Sequence, residues 1–215
     1  MYKGMIFDLD GTLADSVESM ATAGNKVLKS CGLKPQPVES YKYFAGDGAD
    51  TLIYRVLAAA GDAKGEWFDK AYTEYQELFK KDCTYKVKPY DGILELLQEA
   101  KARGIRLSVV SNKPHERTLE VVEKLFGTEL FDKVIGQRDG IAKKPDPAGA
   151  LEAAESLGLK PEECMYVGDT NVDMETGHRA GMFTVGVLWG FRDREELEAN
   201  HADAIIARPE ELLKL

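Results

Sequence analysis

Six short apolar segments recur along this chain, and each ends in a polar or glycine-containing turn. Segments of this length, bounded by turn residues, are typical of buried β-strands. From about residue 91 onward they alternate with stretches whose apolar residues recur at helical spacing. This alternation predicts an α/β fold, a Rossmann-like parallel sheet with helices on both faces. The predicted strands are residues 4–9, 106–111, 133–136, 164–168, 183–188 and 204–207.

Residues 15–85 interrupt this alternation, because they contain helix-like segments and no convincing strand. The sequence therefore predicts a catalytic core of residues 1–14 and 86–215 with an inserted helical domain of residues 15–85. A lid that closes over a crevice and excludes water is one use of such an insertion. A rigid subdomain that only enlarges the core is the alternative. The predicted helices are residues 17–30, 49–60 and 66–81.

The composition limits the class of partner. Among 215 residues, 37 are acidic and 28 are Lys or Arg, which gives a formal charge of −9 and disfavours a general nucleic-acid partner. No apolar stretch approaches the roughly 20 residues that cross a bilayer, and no signal-peptide pattern is present, so we expect a cytoplasmic protein without a membrane partner. The three cysteines are widely spaced, which predicts free thiols.

The first predicted strand runs into two aspartates, Asp8 and Asp10, which Gly11 and Thr12 follow. Side chains two residues apart on an extended chain point to the same side, so both carboxylates can face one crevice. Gly11 permits a tight turn, and Thr12 offers a hydroxyl and a backbone N–H to an oxyanion. An acidic turn without chemistry is the alternative.

A second acidic pair, Asp169 and Asp173, follows the predicted strand of residues 164–168. The carboxyl ends of parallel strands converge on one crevice, so these acids can share a cation with the first pair. Four residues apart at the start of a helix, their carboxylates would lie close together. Two acids that cap a helix and interact with its dipole are the alternative.

Two further groups of polar residues are candidates for the site. One lies at the end of the predicted strand of residues 106–111, and the other directly precedes Pro145. Ser111 and Asn112 end that strand, where a hydroxyl and a backbone N–H can hold a phosphoryl oxygen. Lys144, in a turn stiffened by Pro145, can neutralise phosphate oxygens as a point charge. Helix capping and a solvated Lys-Pro turn are the respective alternatives. Together with the two acidic pairs, these residues predict a site for a metal ion and a phosphate.

In this order, the four elements resemble the motifs of the haloacid dehalogenase superfamily of aspartyl phosphotransferases. The helical insertion lies where that family carries a small α-helical cap, and Gly46, Asp47 and Gly48 resemble the substrate-specificity loop of the cap. The four matching motifs are residues 8–12, Ser111 with Asn112, Lys144 before Pro145, and residues 168–173. Residues 111–114, 187–191, 202–206 and 209–212 resemble the phosphoglycolate phosphatase branch.

The resemblance implies a Mg²⁺-dependent phosphomonoester phosphatase that forms an aspartyl-phosphate on Asp8. It implies that Asp8, Asp169 and the backbone carbonyl of Asp10 bind the metal. The side chain of Asp10 would act as the general acid and then the general base. Asp173 would orient Lys144 or a water molecule on the metal. The phosphate-binding residues implied in the same way are Thr12, Ser111, Asn112 and Lys144.

The resemblance favours a small phosphorylated metabolite as substrate, with 2-phosphoglycolate first. An inorganic pyrophosphatase and a sugar-phosphate phosphatase or phosphomutase use the same chemistry and stay open. A phosphate-ligand sensor without catalysis is the alternative from another class, and the sequence leaves both a monomer and a homodimer open. We expect packing, structural or solvent contacts for the remaining conspicuous residues, with a substrate contact by His115 as the alternative. These residues are His115, His178, His201, Trp189 and Phe191.

Overall fold

The computed structural model describes residues 2–215, except for the side chain of Asp82. Within these residues the chain forms two compact units. One unit runs from the start of the chain to Asp15 and continues over Lys88–Leu215, and the other is Ser16–Val87.

The strands and helices follow one another in chain order. The strands are β1 (Gly4–Phe7), β2 (Ala14–Asp15), β3 (Lys88–Pro89), β4 (Arg106–Pro114), β5 (Lys133–Gln137), β6 (Cys164–Gly168), β7 (Phe183–Val187) and β8 (Ala204–Ile206). The α-helices are α1 (Val17–Ser30), α2 (Tyr41–Phe44), α3 (Ala49–Ala59), α4 (Phe68–Asp82), α5 (Ile93–Ala102), α6 (His115–Phe126), α7 (Ala148–Ser156), α8 (Asn171–Ala180) and α9 (Arg194–Ala199). Short 3₁₀ turns cover Val38–Ser40, Pro161–Glu163 and Pro209–Lys214.

Six strands of the first unit form one parallel sheet in the order β5-β4-β1-β6-β7-β8. β1 lies at its centre, where every residue of Gly4–Phe7 is buried, as expected of a strand covered on both faces. On one face Ile6, Val110 and Tyr166 pack with the small residues of α7. The predicted α/β fold with a Rossmann-like parallel sheet is confirmed.

The register of the sheet brings the predicted site residues to one edge. Phe7, the last residue of β1, lies opposite Val109 of β4 and Val167 of β6. Because these three strands are parallel, the residues that follow them lie at the same carboxyl edge. Asp8, Ser111 and Asp169 therefore come from neighbouring strands.

Two short strands at the points where the chain leaves and re-enters the first unit escaped the sequence prediction. Ala14 and Asp15 of β2 pair antiparallel with Pro89 and Lys88 of β3. Two-residue strands carry too few side chains to show a period of two, which explains why the sequence did not reveal them.

The second unit, Ser16–Val87, is helical. α1 packs against α4, and α3 packs against α4 and α2. The ring of Tyr41 is fully buried and lies against Gly24, and its hydroxyl donates to Asn25 Oδ1 at 3.1 Å. Two details differ from the prediction. The short helix α2 was not predicted, and α4 begins at Phe68 because the Asp62 carboxylate accepts from two backbone N–H groups just before it.

The three cysteines are buried, and two of the histidines contact neighbouring residues of the fold. Cys31, Cys83 and Cys164 are buried thiols, and burial raises the pKa of Cys164 to about 11. His115 Nδ1 accepts from the backbone N–H of Gly136 at 3.1 Å, and His178 Nε2 lies 3.3 Å from the Thr184 hydroxyl. Within residues 2–215, no helix combines the length and the apolar character that crossing a membrane requires.

Candidate active site

A buried lysine joins two aspartates at the carboxyl edge of the sheet. Lys144 lies in the loop between β5 and α7, and its Nζ is 2.8 Å from Asp8 Oδ1 and 2.7 Å from Asp173 Oδ1. The exposed fraction is 4 % for the Lys144 side chain, 10 % for Asp8 and 1 % for Asp173. Charged hydrogen bonds shielded from water are stronger than those at a surface, so this arrangement fixes all three side chains.

Asp173 lies in the first turn of α8, where it has a capping role. Its Oδ2 accepts from the Thr170 hydroxyl at 2.8 Å and from the backbone N–H groups of Asp169 and Thr170 at 3.2 and 3.1 Å. The bond from the Thr170 N–H is one half of a capping box, in which the Thr170 side chain in turn accepts from the Asp173 N–H. Helix capping and a contact with Lys144 were alternatives in the sequence, but the two oxygens of Asp173 serve both.

Asp169 directly follows β6 and is fully buried. Its Oδ1 accepts from the Thr12 hydroxyl at 2.8 Å, and its Oδ2 accepts from the backbone N–H of Phe191 at 2.8 Å. Two glycines make room for it. Gly11 has φ +90°, and a Cβ atom at Gly11 or Gly190 would overlap Asp169.

Three of the aspartates form a cluster that could hold a cation. One carboxylate oxygen from each of Asp8, Asp169 and Asp173 lies within 4.8 Å of the others, and all three residues are buried. Carboxylate oxygens are hard ligands of the kind that Mg²⁺ prefers. The donor set therefore fits a divalent metal ion.

The electrostatics of this cluster favour a cation. Burial raises the pKa of Asp8 to about 7, although the Lys144 ammonium opposes the shift, and the Asp173 and Asp10 carboxylates raise it further. Burial, with Asp173 and Asp8, also raises the pKa of Asp169. For Lys144, burial acts to lower the pKa, but Asp173 and Asp8 hold it well above its usual value. Two of the three buried carboxylates thus contact Lys144, and a bound divalent ion would balance the excess of negative charge in the cluster.

The Asp10 side chain forms an ion pair with a different lysine, Lys113. The Nζ of Lys113 donates to both of its carboxylate oxygens, at 2.7 and 2.6 Å. The exposed fraction is 18 % for the Asp10 side chain and 4 % for Lys113. The Asp10 side chain therefore lies outside the acidic cluster while remaining close enough to raise the pKa of Asp8.

Two of the remaining residues predicted to bind phosphate, Thr12 and Asn112, also form hydrogen bonds with neighbouring residues of the site. The Asn112 side chain bonds both backbone groups of Lys144, donating to its carbonyl at 3.1 Å and accepting from its N–H at 2.8 Å. The Thr12 hydroxyl is committed to Asp169, and its N–H donates to the Leu9 carbonyl at 3.4 Å. Ser111 Oγ accepts from the Lys113 N–H at 3.2 Å, which keeps its own hydrogen available for another acceptor. Asn112 and Thr12 thus orient Lys144 and Asp169, because their own side-chain groups are already engaged.

The candidate specificity loop lies in the helical unit, before α3. Gly46 and Gly48 have φ +118° and +97°, a region of backbone geometry that favours glycine. Between them, Asp47 forms an ion pair of 2.6 Å with Arg55 of α3, and Arg55 also donates to the carbonyl of Phe44 at 3.2 Å. Arg55 therefore ties the loop to α3 from both sides.

Sequence reasoning missed three residues that contribute to the site. Lys113 was noted only within residues 111–114, which resemble the phosphoglycolate phosphatase branch, and Trp189 and Phe191 were expected to pack. Trp189 Nε1 donates to the Thr12 carbonyl at 2.9 Å, and Phe191 supplies a donor to Asp169. A usable signal was present, because this segment follows β7, the neighbour of β6, and therefore lies at the same carboxyl edge.

Comparison with known proteins agrees with the site. The model of the haloacid dehalogenase-like hydrolases matches residues 5–187. A phosphoglycolate phosphatase of Aquifex aeolicus is 36% identical over 98% of this chain and 95% of its own, and that of Neisseria meningitidis is 32% identical over 93% and 86%. The crystal structure of a proposed phosphoglycolate phosphatase from Lactobacillus delbrueckii subsp. bulgaricus superposes with a TM-score of 0.88 at 32% identity, covering 98% of this chain and 96% of that one. The chain therefore belongs to the haloacid dehalogenase-like hydrolases, as its four motifs predict, and is a phosphatase of that family.

Proposed function

We propose that this protein is a Mg²⁺-dependent phosphatase of a small phosphorylated metabolite, and that its substrate is 2-phosphoglycolate. The observation that carries the proposal is the buried group of Asp8, Lys144 and Asp173, which holds a carboxylate and a cation together at the end of the central strand. The substrate is inferred from the relatives named phosphoglycolate phosphatase, which align along nearly the whole chain.

In the first step, a carboxylate oxygen of Asp8 attacks the phosphorus atom. The bond between phosphorus and the bridging oxygen breaks, and an aspartyl-phosphate forms on Asp8. The Asp10 side chain gives a proton to the departing glycolate oxygen. In the second step, Asp10 takes a proton from a water molecule, whose oxygen attacks the phosphorus. The bond between phosphorus and the Asp8 oxygen breaks, which releases inorganic phosphate and restores the Asp8 carboxylate.

The other residues stabilise charge on the transferring phosphoryl group. Lys144 binds its oxygens as a point charge, and Ser111 donates its hydroxyl hydrogen. Asp173 and Asn112 keep Lys144 in place through the bonds described above. These are positioning residues, because they act through Lys144.

Asp8, Asp169 and the backbone carbonyl of Asp10 would hold Mg²⁺. When bound there, the ion would offset the repulsion between the Asp8 carboxylate and the phosphate dianion, which otherwise opposes attack. Thr12 and the N–H of Phe191 orient Asp169 for this task.

The helical unit acts as the cap in this proposal, and the loop of Gly46, Asp47 and Gly48 selects the leaving group. Two observations support it. The unit is compact by itself, and Arg55 fixes the loop on α3 through Asp47 and the Phe44 carbonyl.

Release of inorganic phosphate from 2-phosphoglycolate, pyrophosphate and a set of sugar phosphates tests the proposal. Each substrate is measured with Mg²⁺ and after chelation. We expect 2-phosphoglycolate to have the highest kcat/KM and all activity to disappear on chelation. Preference for pyrophosphate or a sugar phosphate would overturn the substrate, and undiminished release after chelation would overturn the metal requirement.

A further inference from the structure

Lys113 is a buried cation to which the proposed mechanism gives no task. It lies near the end of β4, directly after Ser111 and Asn112, and only 4 % of its side chain is exposed. Burying an ammonium group is costly unless other groups compensate its charge. Its Nζ contacts both oxygens of Asp10, so the charge is balanced by a carboxylate that belongs to the site.

The site therefore contains two buried lysines with different neighbours. Lys144 contacts Asp8 and Asp173, on the side where the phosphoryl group is transferred. Lys113 contacts Asp10, the carboxylate that faces the departing oxygen in the proposed reaction. Lys113 is thus placed beside the leaving group, while Lys144 serves the phosphoryl group.

The chemistry of the leaving group matches this second cation. In 2-phosphoglycolate, one methylene separates the bridging oxygen from a carboxylate. A cation within hydrogen-bond distance of the residue that contacts the bridging oxygen can therefore also reach that carboxylate. An ammonium group has three donors and can bind the incoming carboxylate while keeping one bond to Asp10.

We propose that Lys113 is a specificity residue that binds the carboxylate of the substrate in partial exchange for Asp10. The inference rests on the proposed function and extends it. A phosphomonoester with a neutral group at the same position cannot compete with Asp10 for the ammonium. The enzyme would then distinguish an acidic leaving group from a neutral one of the same size through residues of its sheet domain.

A different role for Lys113 would give a different result. If the lysine only oriented Asp10, its loss would slow acidic and neutral substrates by the same factor. If it binds the substrate carboxylate, its loss must remove the preference between them. The ratio of two kcat/KM values separates these roles.

The experiment compares 2-phosphoglycolate with 2-phosphoglycolamide, in which a neutral amide replaces the carboxylate at nearly equal size. The ratio of their kcat/KM values is measured for the wild type, Lys113→Met and Lys113→Arg. A bond between charged groups contributes enough that we expect the preference for the acid to fall by about 10- to 100-fold in Lys113→Met. Lys113→Arg should keep most of the preference, because it keeps the charge. Lys133→Met, at a half-exposed lysine 3.7 Å from Glu152, is the control and should leave the ratio unchanged.

Calorimetry gives a readout that does not depend on turnover. In the Asp8→Asn background, we expect 2-phosphoglycolate to bind more tightly than the amide, and addition of Lys113→Met to remove the difference. Melting temperatures establish that each variant is folded, and Lys113→Gln, which also removes the charge and should also lose the preference, provides the test if Lys113→Met is not.

An unchanged ratio in a folded Lys113→Met variant would overturn the inference while leaving the proposed function intact. A wild-type enzyme that hydrolyses other phosphomonoesters but not 2-phosphoglycolate would overturn the proposed function and the inference with it. Loss of the preference in Lys113→Met, with retention in Lys113→Arg, is the result expected.

Discussion

Two ion pairs of nearly equal length occupy very different surroundings in this protein. Lys144 and Asp173 are 2.7 Å apart with side chains 4 % and 1 % exposed. Arg55 and Asp47, in the helical unit, are 2.6 Å apart with side chains 36 % and 30 % exposed. Water screens the second pair and leaves it weak, whereas the first pair has no such screening. The sheet therefore holds its charges through contacts shielded from water, whereas the ion pair that ties the loop of the helical unit to α3 contributes little to stability.

Among the buried charged residues of the sheet, replacing Asp8 by Asn should have the largest effect on activity. A neutral amide cannot replace the carboxylate nucleophile, so we expect phosphate release to fall to the background rate. The fold should persist, because the change removes one of three clustered negative charges and keeps the side-chain size. Phosphate release and circular dichroism check both statements, with Asp69→Asn on the exposed side of α4 as a control. Turnover at the wild-type rate would refute the role of Asp8.

Replacing Asp10 by Asn should have the next largest effect. The variant loses a general acid and base, so we expect kcat to fall by about 10²- to 10⁴-fold. The concentration of Mg²⁺ that half-activates the enzyme should stay close to the wild-type value, because the proposed ligand at this position is the backbone carbonyl. A weakened response to Mg²⁺ with little change in kcat would contradict the assignment.

Replacing Lys144 by Met tests how much the buried ion pair contributes to the free energy of unfolding. The substitution leaves Asp8 and Asp173 buried beside each other without their cation, and we expect the free energy of unfolding to fall by about 3–5 kcal/mol. Urea denaturation with chelator present measures it. A loss below about 1 kcal/mol, the range of surface ion pairs, would show that burial does not strengthen this pair.

The pH dependence of stability should show the excess of buried carboxylates. The pKa of Asp8 is about 7 in the folded protein and about 4 in an unfolded chain, so the folded state binds more protons between these values. With chelator present, the free energy of unfolding should then fall as pH rises from about 4 to about 7. Melting temperatures across this range check the direction. The melting temperature of the Asp8→Asn variant should fall less steeply with rising pH than that of the wild type. Stability that rises across this range in the wild type would contradict the pKa shift.

Replacing Arg55 by Met should have the smallest effect on stability. The ion pair with Asp47 is partly exposed, and we expect its loss to change the free energy of unfolding by about 0–1 kcal/mol. Because Arg55 holds the candidate specificity loop, KM should change more than kcat. A loss of stability as large as that of Lys144→Met would remove the contrast between the two units.

The sequence predicted the helices and strands that are long enough to show a hydrophobic period. The helix of residues 17–30 coincides with α1, and the six main strands lie within a few residues of their predicted limits. It did not predict β2, β3 or α2, which are too short to show a period. The prediction that Asp8, Asp169 and Asp173 lie close together followed from one topological fact, that parallel strands end at the same edge.

The hydrogen-bond partners within the site could not be predicted from the sequence. Thr12 and Asn112 are predicted to bind phosphate, and the bonds of their side chains to Asp169 and to the backbone of Lys144 are an additional finding of the structure. A hydroxyl or amide at a strand end can serve a ligand or a neighbouring loop, and only the packing of that loop decides between them. The pairing of Lys113 with Asp10 is of the same kind, since it joins residues that are 103 positions apart.

Acid quenching during turnover of 2-phosphoglycolate with Mg²⁺, followed by mass spectrometry of the peptides, tests the central claim most directly. The account predicts a peptide containing Asp8 that carries the mass of one additional phosphoryl group, which disappears in Asp8→Asn. Steady release of phosphate without any such peptide, or a phosphoryl group on another residue, would contradict it.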